Sequence, residues 1–247
     1  MRLLNEHRTI RKYTGQEITD ALLNAVLHAG TRASTTGNMQ VYSIVVTRDK
    51  EMKEKLSPCH FNQPMVREAP VVLTFCADFN RFNKWCRQRN AEPGYDNFLS
   101  FVTAAIDALL VAQNVCIAAE DAGLGICYLG TTTYTAETII EIMELPAGVV
   151  PVTTVTLGYP AENPPLTDRL PLEAVVHYER YNDYSEGDID KYYSEKEALA
   201  SSQQFVKENN LETLAQVFTQ VRYKKADNET FSTKLLSVLE KQGFMNK

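Results

Sequence analysis

The chain has 247 residues, enough for one large domain or two small ones, and 44% of them are hydrophobic, as in ordinary globular proteins. Its formal net charge of −6 argues against nucleic-acid binding, because that binding depends on Lys and Arg side chains that neutralise phosphates. No run reaches the roughly 18 consecutive apolar residues of a membrane span, and residues 1–6 lack the apolar stretch of a signal peptide. We therefore expect a cytoplasmic protein without nucleic-acid or membrane partners.

The cysteines and histidines predict neither a disulfide framework nor a metal site. The five cysteines are odd in number and include no Cys-x-x-Cys pair. The four histidines are scattered and show none of the spacings of a zinc-binding helix. We therefore expect no bound metal.

The first third of the chain predicts one helix and two strands. Apolar residues recur at helical spacing over residues 18–29, Thr19 stands where it would cap the helix, and Gly30 marks its end. Residues 41–47 and 71–77 are rich in β-branched side chains and predict two strands, both in central positions of a sheet.

A long helix is predicted from about residue 97 to residue 122. It is apolar on nearly every side and must therefore be buried on most of them. A span through lipid is excluded by its polar interruptions, which are Asp107, Gln113, Asn114, Glu120 and Asp121. We expect this helix to form the interface of a homodimer.

The following segment alternates strands and helices. Residues 126–130 predict a strand, and residues 136–145 predict a helix with Thr135 as its cap. Another strand is predicted over residues 152–159, before a proline-rich loop at residues 160–171.

Composition changes from Tyr178 onward, where tyrosines stand among acidic residues. Helical patterns then occupy roughly residues 195–221 and 229–242. We expect a core at residues 1–182 and an appended helical arm at residues 183–247.

Residues 7–13, His-Arg-Thr-Ile-Arg-Lys-Tyr, place four potentially cationic side chains and a hydroxyl within seven positions. Such a cluster is either a solvated basic face or a clamp for an anion. Flavin mononucleotide (FMN) requires cations and N–H donors for its phosphate, a flat cavity for its ring, and a positive partner at the N1/O2 edge, where reduction places negative charge. Because Arg8 and Arg11 lie three positions apart, they can reach different parts of one ligand, Arg8 the phosphate and Arg11 the ring.

Four further segments accompany this cluster in the same order along the chain. They are Ser-Thr-Thr-Gly-Asn-Met-Gln at 34–40, Gly-Leu-Gly-Ile-Cys-Tyr-Leu-Gly at 123–130, Leu-Gly-Tyr-Pro-Ala-Glu-Asn-Pro-Pro at 157–165, and Arg-Leu-Pro at 169–171. Over about residues 5–182 the chain resembles the FMN-dependent nitroreductase family, and most of all its NAD(P)H:flavin oxidoreductase and oxygen-insensitive nitroreductase branch.

The resemblance implies a set of FMN-contacting residues. They are His7, Arg8, Thr9, Arg11, Thr35, Gln63, Tyr128, Leu129, Gly130, Thr131, Thr167 and Arg169. His7, Arg8 and Thr9 would hold the phosphate and ribityl chain, and Arg11 the pyrimidine edge of the ring. The backbone N–H of Gly130 would face flavin N5, and Arg169 would close the phosphate site.

Several positions keep a second interpretation. Thr35 can be an ordinary loop hydroxyl, Gln63 a surface amide, and Tyr128 a core residue. Gly123 to Gly125 predicts a helix C-cap followed by a turn and not a dinucleotide fingerprint.

Two departures from the branch concern charge. Thr167 stands where relatives usually carry a basic residue, so the phosphate would lose one cation. The arm offers mixed charge where NADPH-preferring relatives hold the 2′-phosphate, although Lys224 and Lys225 can substitute. The choice between NADH and NADPH therefore stays open.

The implied fold is α+β, with a mostly antiparallel sheet of four to five strands flanked by helices, in an intertwined homodimer with FMN in each interface groove. The implied reaction is ping-pong: NAD(P)H gives a hydride to N5, and a nitroaromatic, quinone or free flavin is then reduced on the same ring face. The alternatives are a flavin-binding or storage protein without turnover, and a family member with another flavin-dependent reaction, such as flavin fragmentation or dehalogenation.

Overall fold

A computed structural model describes residues 1–246 of the chain. These residues form two compact units. The first comprises Met1–Pro165 and the C-terminal residues from Phe231, and the second comprises Leu166–Thr230. Each unit is described separately below.

The secondary structure is mixed. The strands are β1 (Tyr42–Thr47), β2 (Val71–Asp78), β3 (Gly125–Leu129) and β4 (Val149–Gly158). The α-helices of the first unit are α1 (Arg2–Asn5), α2 (Asp20–Gly30), α3 (Lys50–Leu56), α4 (Pro64–Glu68), α5 (Asn80–Gln88), α6 (Phe98–Asp121) and α7 (Ala136–Ile142). The remaining α-helices are α8 (Glu186–Ala198), α9 (Ala200–Glu208), α10 (Leu214–Gln216) and α11 (Lys225–Lys241), of which α11 runs from the second unit into the first.

The four strands form one antiparallel sheet in the order β1-β2-β4-β3. This confirms the predicted α+β class and the antiparallel sheet, at four strands among the described residues. The central strands β2 and β4 are buried along nearly their whole length, as their mostly apolar and β-branched sequences favour. The prediction that both early strands are central was wrong for β1, which lies at an edge. β-Branched residues report packing on a sheet face and not the number of neighbouring strands, and Val46 of β1 is 40% exposed.

Helix α6 packs against the sheet and forms the spine of the first unit. Its N-terminus is capped by the Asn97 side chain, whose Oδ1 accepts from the Ser100 N–H at 3.1 Å. Its Val111 and Val115 share a buried cluster with strand β2. Helix α2 approaches it so closely that a Cβ at Gly30 would lie 2.1 Å from Val115 Cγ2, and only glycine fits there.

The C-terminus of α6 confirms the predicted glycine cap. Gly123 has a φ of 79°, in the left-handed region that glycine adopts without strain. The N–H of Leu124 returns to the carbonyl of Ala119 at 2.9 Å, as in a glycine-capped helix end.

One side of α6 is exposed in the single chain. Among its exposed residues, five are large and apolar, namely Phe98, Leu99, Ile106, Leu109 and Leu110. The predicted burial on most sides depends on the expected homodimer interface, so along this stripe it stays a prediction. By length and composition alone, α6 is apolar enough to cross a membrane, a property that the core helices of soluble proteins share.

The ends of two elements in this unit differ from prediction. Helix α7 ends at Ile142, three residues before the predicted end at residue 145. Strand β4 begins at Val149 instead of residue 152, because its first residues pair with the end of β2. Thr135 precedes α7, but it does not cap it: the Thr135 hydroxyl donates to the carbonyl of Cys59 at 2.8 Å.

The second unit is mainly helical, and the helical pattern predicted over residues 195–221 is divided among several separate helices. Leu199 is extended between α8 and α9, with φ −59° and ψ 133°. Ser185 and Thr213 each start a new helix through a capping box, and these caps impose starts that the apolar periodicity does not reveal.

The last residues of the chain belong to the first unit. Leu239 and Phe244 are fully buried there, in one cluster with Val41 and Ala77. The division into a core at 1–182 and an arm at 183–247 stays a prediction about domains.

Candidate functional site

The basic N-terminal segment lies beside strand β3. Thr9 forms an isolated parallel bridge with Ile126, and the Ile10 N–H donates to the Ile126 carbonyl at 2.9 Å. A Cβ at Gly125 would lie 2.7 Å from the Ile10 side chain. The glycine therefore allows the segment to approach the sheet.

Tyr13 fixes the other end of the segment. Its hydroxyl, which is half-buried, donates to the Ile10 carbonyl at 2.8 Å and lies 2.7 Å from Thr156 Oγ1. Burial raises the pKa of Tyr13, so its hydroxyl stays protonated at neutral pH. A Cβ at Gly158 would meet the Tyr13 ring at 2.7 Å. Two glycines and one tyrosine thus hold residues 9–13 against the strand ends.

His7 and Arg8 border a small cavity next to the end of α6. The cavity has a volume of about 240 Å³. The Glu120 carboxylate accepts from His7 Nδ1 at 2.6 Å. Arg8 Nε is buried and has no hydrogen-bond partner within residues 1–246. A buried guanidinium N–H without an acceptor costs free energy, which an anionic ligand at this point removes.

Three carboxylates also line this cavity, and they do not occupy Arg8 Nε. Their oxygens accept from other donors: Glu6 from Arg2, Glu120 from His7, and Glu162 from the backbone N–H groups of Arg11 and Lys12. The donor set left for a ligand is therefore cationic. These residues fit the phosphate of FMN.

The Arg11 side chain is exposed, and its charge reaches strand β3. Burial raises the pKa of the Cys127 thiol, and the Arg11 guanidinium partly opposes that rise. Cys127 lies on β3, three residues before Gly130, which follows the end of the strand. Arg11 is therefore positioned to act on a group that lies along the end of β3.

The segment after β3 is a tight turn that opens at Gly130. Leu129 is buried in the core, so only its backbone is available to a ligand, and its carbonyl accepts from the Thr132 hydroxyl at 3.1 Å. Gly130 is exposed, and a Cβ built on it would meet no atom within 4 Å. Tyr128 is half-buried, and burial raises its pKa. The turn thus presents open space beside the backbone of Gly130.

The loop that carries Gln63 is tied to this turn. His60 Nδ1 lies 2.8 Å from Thr131 Oγ1, and the Thr135 hydroxyl donates to the Cys59 carbonyl. Gln63 occupies the N-cap position of α4, but its side chain does not cap the helix. The structure therefore brings the Gln63 loop and the Gly130 turn together.

The loop that carries Thr35 is held by a carboxylate of α6. Asp107 is fully buried; its Oδ1 accepts from the Thr36 N–H at 2.9 Å and its Oδ2 from the Val41 N–H at 3.4 Å. Asp107 and Glu120 lie thirteen residues apart, which corresponds to about 20 Å along the helix. The Thr35 loop and the His7 side chain are thus anchored to different halves of α6.

Thr167 and Arg169 lie in the second unit. Arg169 Nη1 donates to Thr167 Oγ1 at 2.6 Å and to the Asp168 carbonyl at 2.8 Å. The hydrogen bond from Lys196 lowers the pKa of Asp168. The Arg169 guanidinium is thus bound to its own loop, and the predicted contact of Arg169 with the phosphate stays a prediction.

Sequence reasoning missed four residues that organise these segments. Asp107 and Glu120 were treated only as polar interruptions of an apolar helix, although isolated carboxylates in such a helix are a signal for buried hydrogen bonding. Glu162 lies inside the motif at 157–165, and His60 begins the segment that contains Gln63. The sequence alone does not predict the hydrogen-bond partner of Glu162 or of His60.

Comparison with known proteins identifies the family. The family model described as "Nitroreductase family" matches residues 4–159. The oxygen-insensitive NADPH nitroreductase of Salmonella typhimurium is 36% identical over 190 residues, which is 77% of this chain and 78% of that protein.

Solved structures agree over the whole chain. A Bacteroides fragilis crystal structure, described as that of an oxidoreductase, has 60% identity and a TM-score of 0.98 and covers 100% of both chains. The NADPH:FMN oxidoreductase of Vibrio harveyi, complexed with NAD+, has 29% identity and a TM-score of 0.80 and covers 100% of this chain and 98% of that one. This chain belongs to the nitroreductase family.

Proposed function

We propose that this protein is an FMN-dependent NAD(P)H oxidoreductase that reduces nitroaromatics, quinones or free flavin. The observation that carries the proposal is the buried Arg8 Nε, which has no hydrogen-bond partner in the described part of the chain and lies in a cavity next to His7. Both residues stand in the motif from which the family resemblance was drawn. The printed names of the relatives, an NADPH nitroreductase and an NADPH:FMN oxidoreductase, point to the same activity.

The residues have separate tasks in this proposal. His7 and Arg8 bind the phosphate, and Thr9 lies beside the ribityl chain. Arg11 holds positive charge near the N1/O2 edge of the ring, where it favours the electron-rich form. The Gly130 N–H faces the ring edge that exchanges hydride. When bound, FMN supplies the redox chemistry, taking a hydride from the nicotinamide and passing electrons to the acceptor.

No side chain of the chain needs to act as a nucleophile or as a proton donor to the substrate. The protein places the two ring faces, excludes water from one of them, and supplies charge. Gln63, Thr35 and Arg169 are proposed as further FMN contacts.

We also propose that the active protein is a homodimer built on α6. The exposed apolar stripe of α6, which includes Ile106, Leu109 and Leu110, is larger than scattered surface apolar residues explain. Leu109→Glu should produce monomers in sedimentation velocity measurements. Leu172→Glu, which changes a more exposed leucine of the second unit, is the control and should leave the dimer intact.

The electron donor and the compartment belong to the proposal as well. The relatives' names favour NADPH, and Lys224 and Lys225 are the proposed cations for its 2′-phosphate. The five cysteines are buried free thiols, which suits a reducing compartment, and we propose the cytoplasm.

Anaerobic stopped-flow measurement tests the activity. Protein loaded with FMN should lose its visible flavin absorption within seconds of mixing with NADPH or NADH, and a quinone or nitroaromatic should restore it. Slow bleaching with both nucleotides would favour a flavin-storage protein. Rapid bleaching without reoxidation by these acceptors would favour another flavin-dependent reaction, which product analysis identifies.

A further inference from the structure

A buried histidine joins the two loops that are proposed to contact the flavin ring. His60 is 1% exposed and begins the segment that contains Gln63. Its Nδ1 lies 2.8 Å from the hydroxyl of Thr131, the residue directly after Gly130. The Thr131 side chain is itself 9% exposed, so the hydrogen bond is shielded from water.

Packing alone does not account for a histidine at this position. Its second ring nitrogen, Nε2, is buried and has no partner among the described residues, which is costly for a core residue. An apolar side chain of similar volume would fill the space without that cost. The Nδ1 bond to Thr131 is therefore the property that a leucine or phenylalanine would lack.

The backbone around His60 is also unusual. Phe61 and Asn62, the next two residues, have φ values of 54° and 55°, in the left-handed region. A bulky residue such as Phe61 rarely adopts this conformation, and such strain persists where the surrounding structure enforces it. Phe61 lies between His60 and Gln63, so the hydrogen bond of the His60 ring anchors the chain three residues before Gln63.

The ring is held as a neutral group. Burial lowers the pKa of His60 from 6.5 to about 4, so at neutral pH the imidazole carries one proton and no charge. Either Nδ1 or the Thr131 hydroxyl supplies the proton of their shared hydrogen bond. A neutral imidazole can hold a fixed hydrogen bond to the turn, but it is not suited to donate a proton to a substrate.

We propose that His60 is a positioning residue: through Thr131 it fixes the turn that presents the Gly130 N–H and couples this turn to the Gln63 loop. This inference rests on the proposed FMN site. His60 itself touches neither cofactor nor substrate in this account. Its removal should therefore loosen the turn while the phosphate contacts of Arg8 persist.

Three variants separate this role from a purely structural one. His60→Leu removes both ring nitrogens, whereas His60→Asn keeps a polar atom near the Nδ1 position. Thr131→Val removes the partner and leaves the histidine in place. Thr135→Val is the control, because it breaks the other hydrogen bond between the same two segments, that to the Cys59 carbonyl.

The first measurement is amide hydrogen exchange in the FMN-free protein. His60→Leu and Thr131→Val should each speed exchange in the peptide that covers Gly130 by about fivefold to tenfold, the effect of one lost hydrogen bond. His60→Asn should stay within about twofold of the wild type. Equal exchange in the leucine and asparagine variants, or faster exchange over the whole sheet, would overturn the proposal.

The second measurement is the FMN dissociation constant from quenching of flavin fluorescence. His60→Leu should raise it about fivefold to tenfold, and the effects of His60→Leu and Thr131→Val should not add in the double variant. Additive effects, or an effect no larger than that of Thr135→Val, would contradict the coupling. If His60→Leu does not fold, Thr131→Val and His60→Asn decide the question.

The two proposals fail in different ways. If the wild-type protein binds no FMN, the proposed function fails, but the exchange measurement still tests whether His60 fixes the turn. If the wild type binds FMN and is reduced by NAD(P)H while the His60 variants match the Thr135 control, only the positioning role fails.

Discussion

The N-terminal clamp, residues 7–13, and the Gly130 turn, residues 129–135, lie at the two ends of the proposed FMN site and are built differently. The clamp leaves Arg11 exposed and Arg8 Nε without a hydrogen-bond partner among the described residues, so part of its charge is available to a ligand. The turn directs its hydroxyls to its own backbone, to His60 and to the Cys59 carbonyl. The difference indicates that the clamp determines how tightly the cofactor binds, whereas the turn determines where the ring edge lies.

This contrast leads to different predictions for the two regions. Changes in the turn should alter the free energy of unfolding, and changes in the clamp should alter FMN affinity or potential with little effect on unfolding of the FMN-free protein.

The largest effect is expected at His60, which is bonded to Thr131 of the turn, and concerns pH. The pKa of His60 is about 4 in the fold and about 6.5 in the unfolded chain, so the unfolded chain binds more protons between these values. The contribution of neutral His60 to the free energy of unfolding is therefore fully present above pH 6.5. It is lost, by roughly 3 kcal/mol, as the pH falls toward 4. Urea unfolding of the FMN-free protein across this range measures it.

His60→Asn is the matched control for this pH effect. It has no group that titrates in the window, so its stability should fall less steeply than that of the wild type. Parallel curves for the two proteins would show that His60 is not protonated on unfolding.

In the clamp, Arg8→Ala should weaken FMN binding by about 1.5–3 kcal/mol, because a charge-assisted hydrogen bond to the phosphate is lost. Fluorescence titration measures the dissociation constant. Lys12→Ala, which removes a neighbouring exposed cation, should change it much less. Retention of stoichiometric FMN by Arg8→Ala after extensive dialysis would count against the phosphate assignment.

A smaller effect is expected for Thr132→Val in the turn. The Thr132 hydroxyl is buried and donates to the Leu129 carbonyl, so its loss should lower the free energy of unfolding by about 1–2 kcal/mol. Chemical denaturation measures the change. Thr133→Val, a half-exposed neighbour, is the control, and an equal loss in both variants would contradict a special role of Thr132.

The smallest effect concerns Arg11. Arg11→Ala should lower the midpoint potential of bound FMN by about 20–40 mV, which corresponds to roughly 1–2 kcal/mol for a two-electron couple. In Arg11→Lys the midpoint potential of bound FMN should stay close to the wild-type value. Spectroelectrochemistry measures it, and an unchanged potential in Arg11→Ala would remove Arg11 from the ring edge.

The sequence predicts the elements with strong periodicity or composition. The strands at 41–47 and 71–77 and the long helix agree with β1, β2 and α6 to within one or two residues. The spacing and composition of their apolar residues indicate the type of element whatever its neighbours are. Strand order is not encoded in this way, which explains why β1 was wrongly expected in a central position.

The same distinction applies to the candidate site, where some residues are predictable from contiguous motifs and others are not. The motifs predict that Arg8 and Arg11 face one ligand, because these residues are contiguous with the basic cluster. Glu120, Asp107 and His60 organise the site through hydrogen bonds to residues that are distant in sequence. Glu120, for example, lies near the C-terminal end of α6 and bonds to His7. Long-range polar pairs have no periodicity, and only the fold reveals them.

The central claim is that the described cations and backbone donors hold one FMN in each chain. Purified protein, incubated with FMN and freed of excess by gel filtration, should be yellow and retain one FMN per chain. Protein that remains colourless after this incubation would contradict the account.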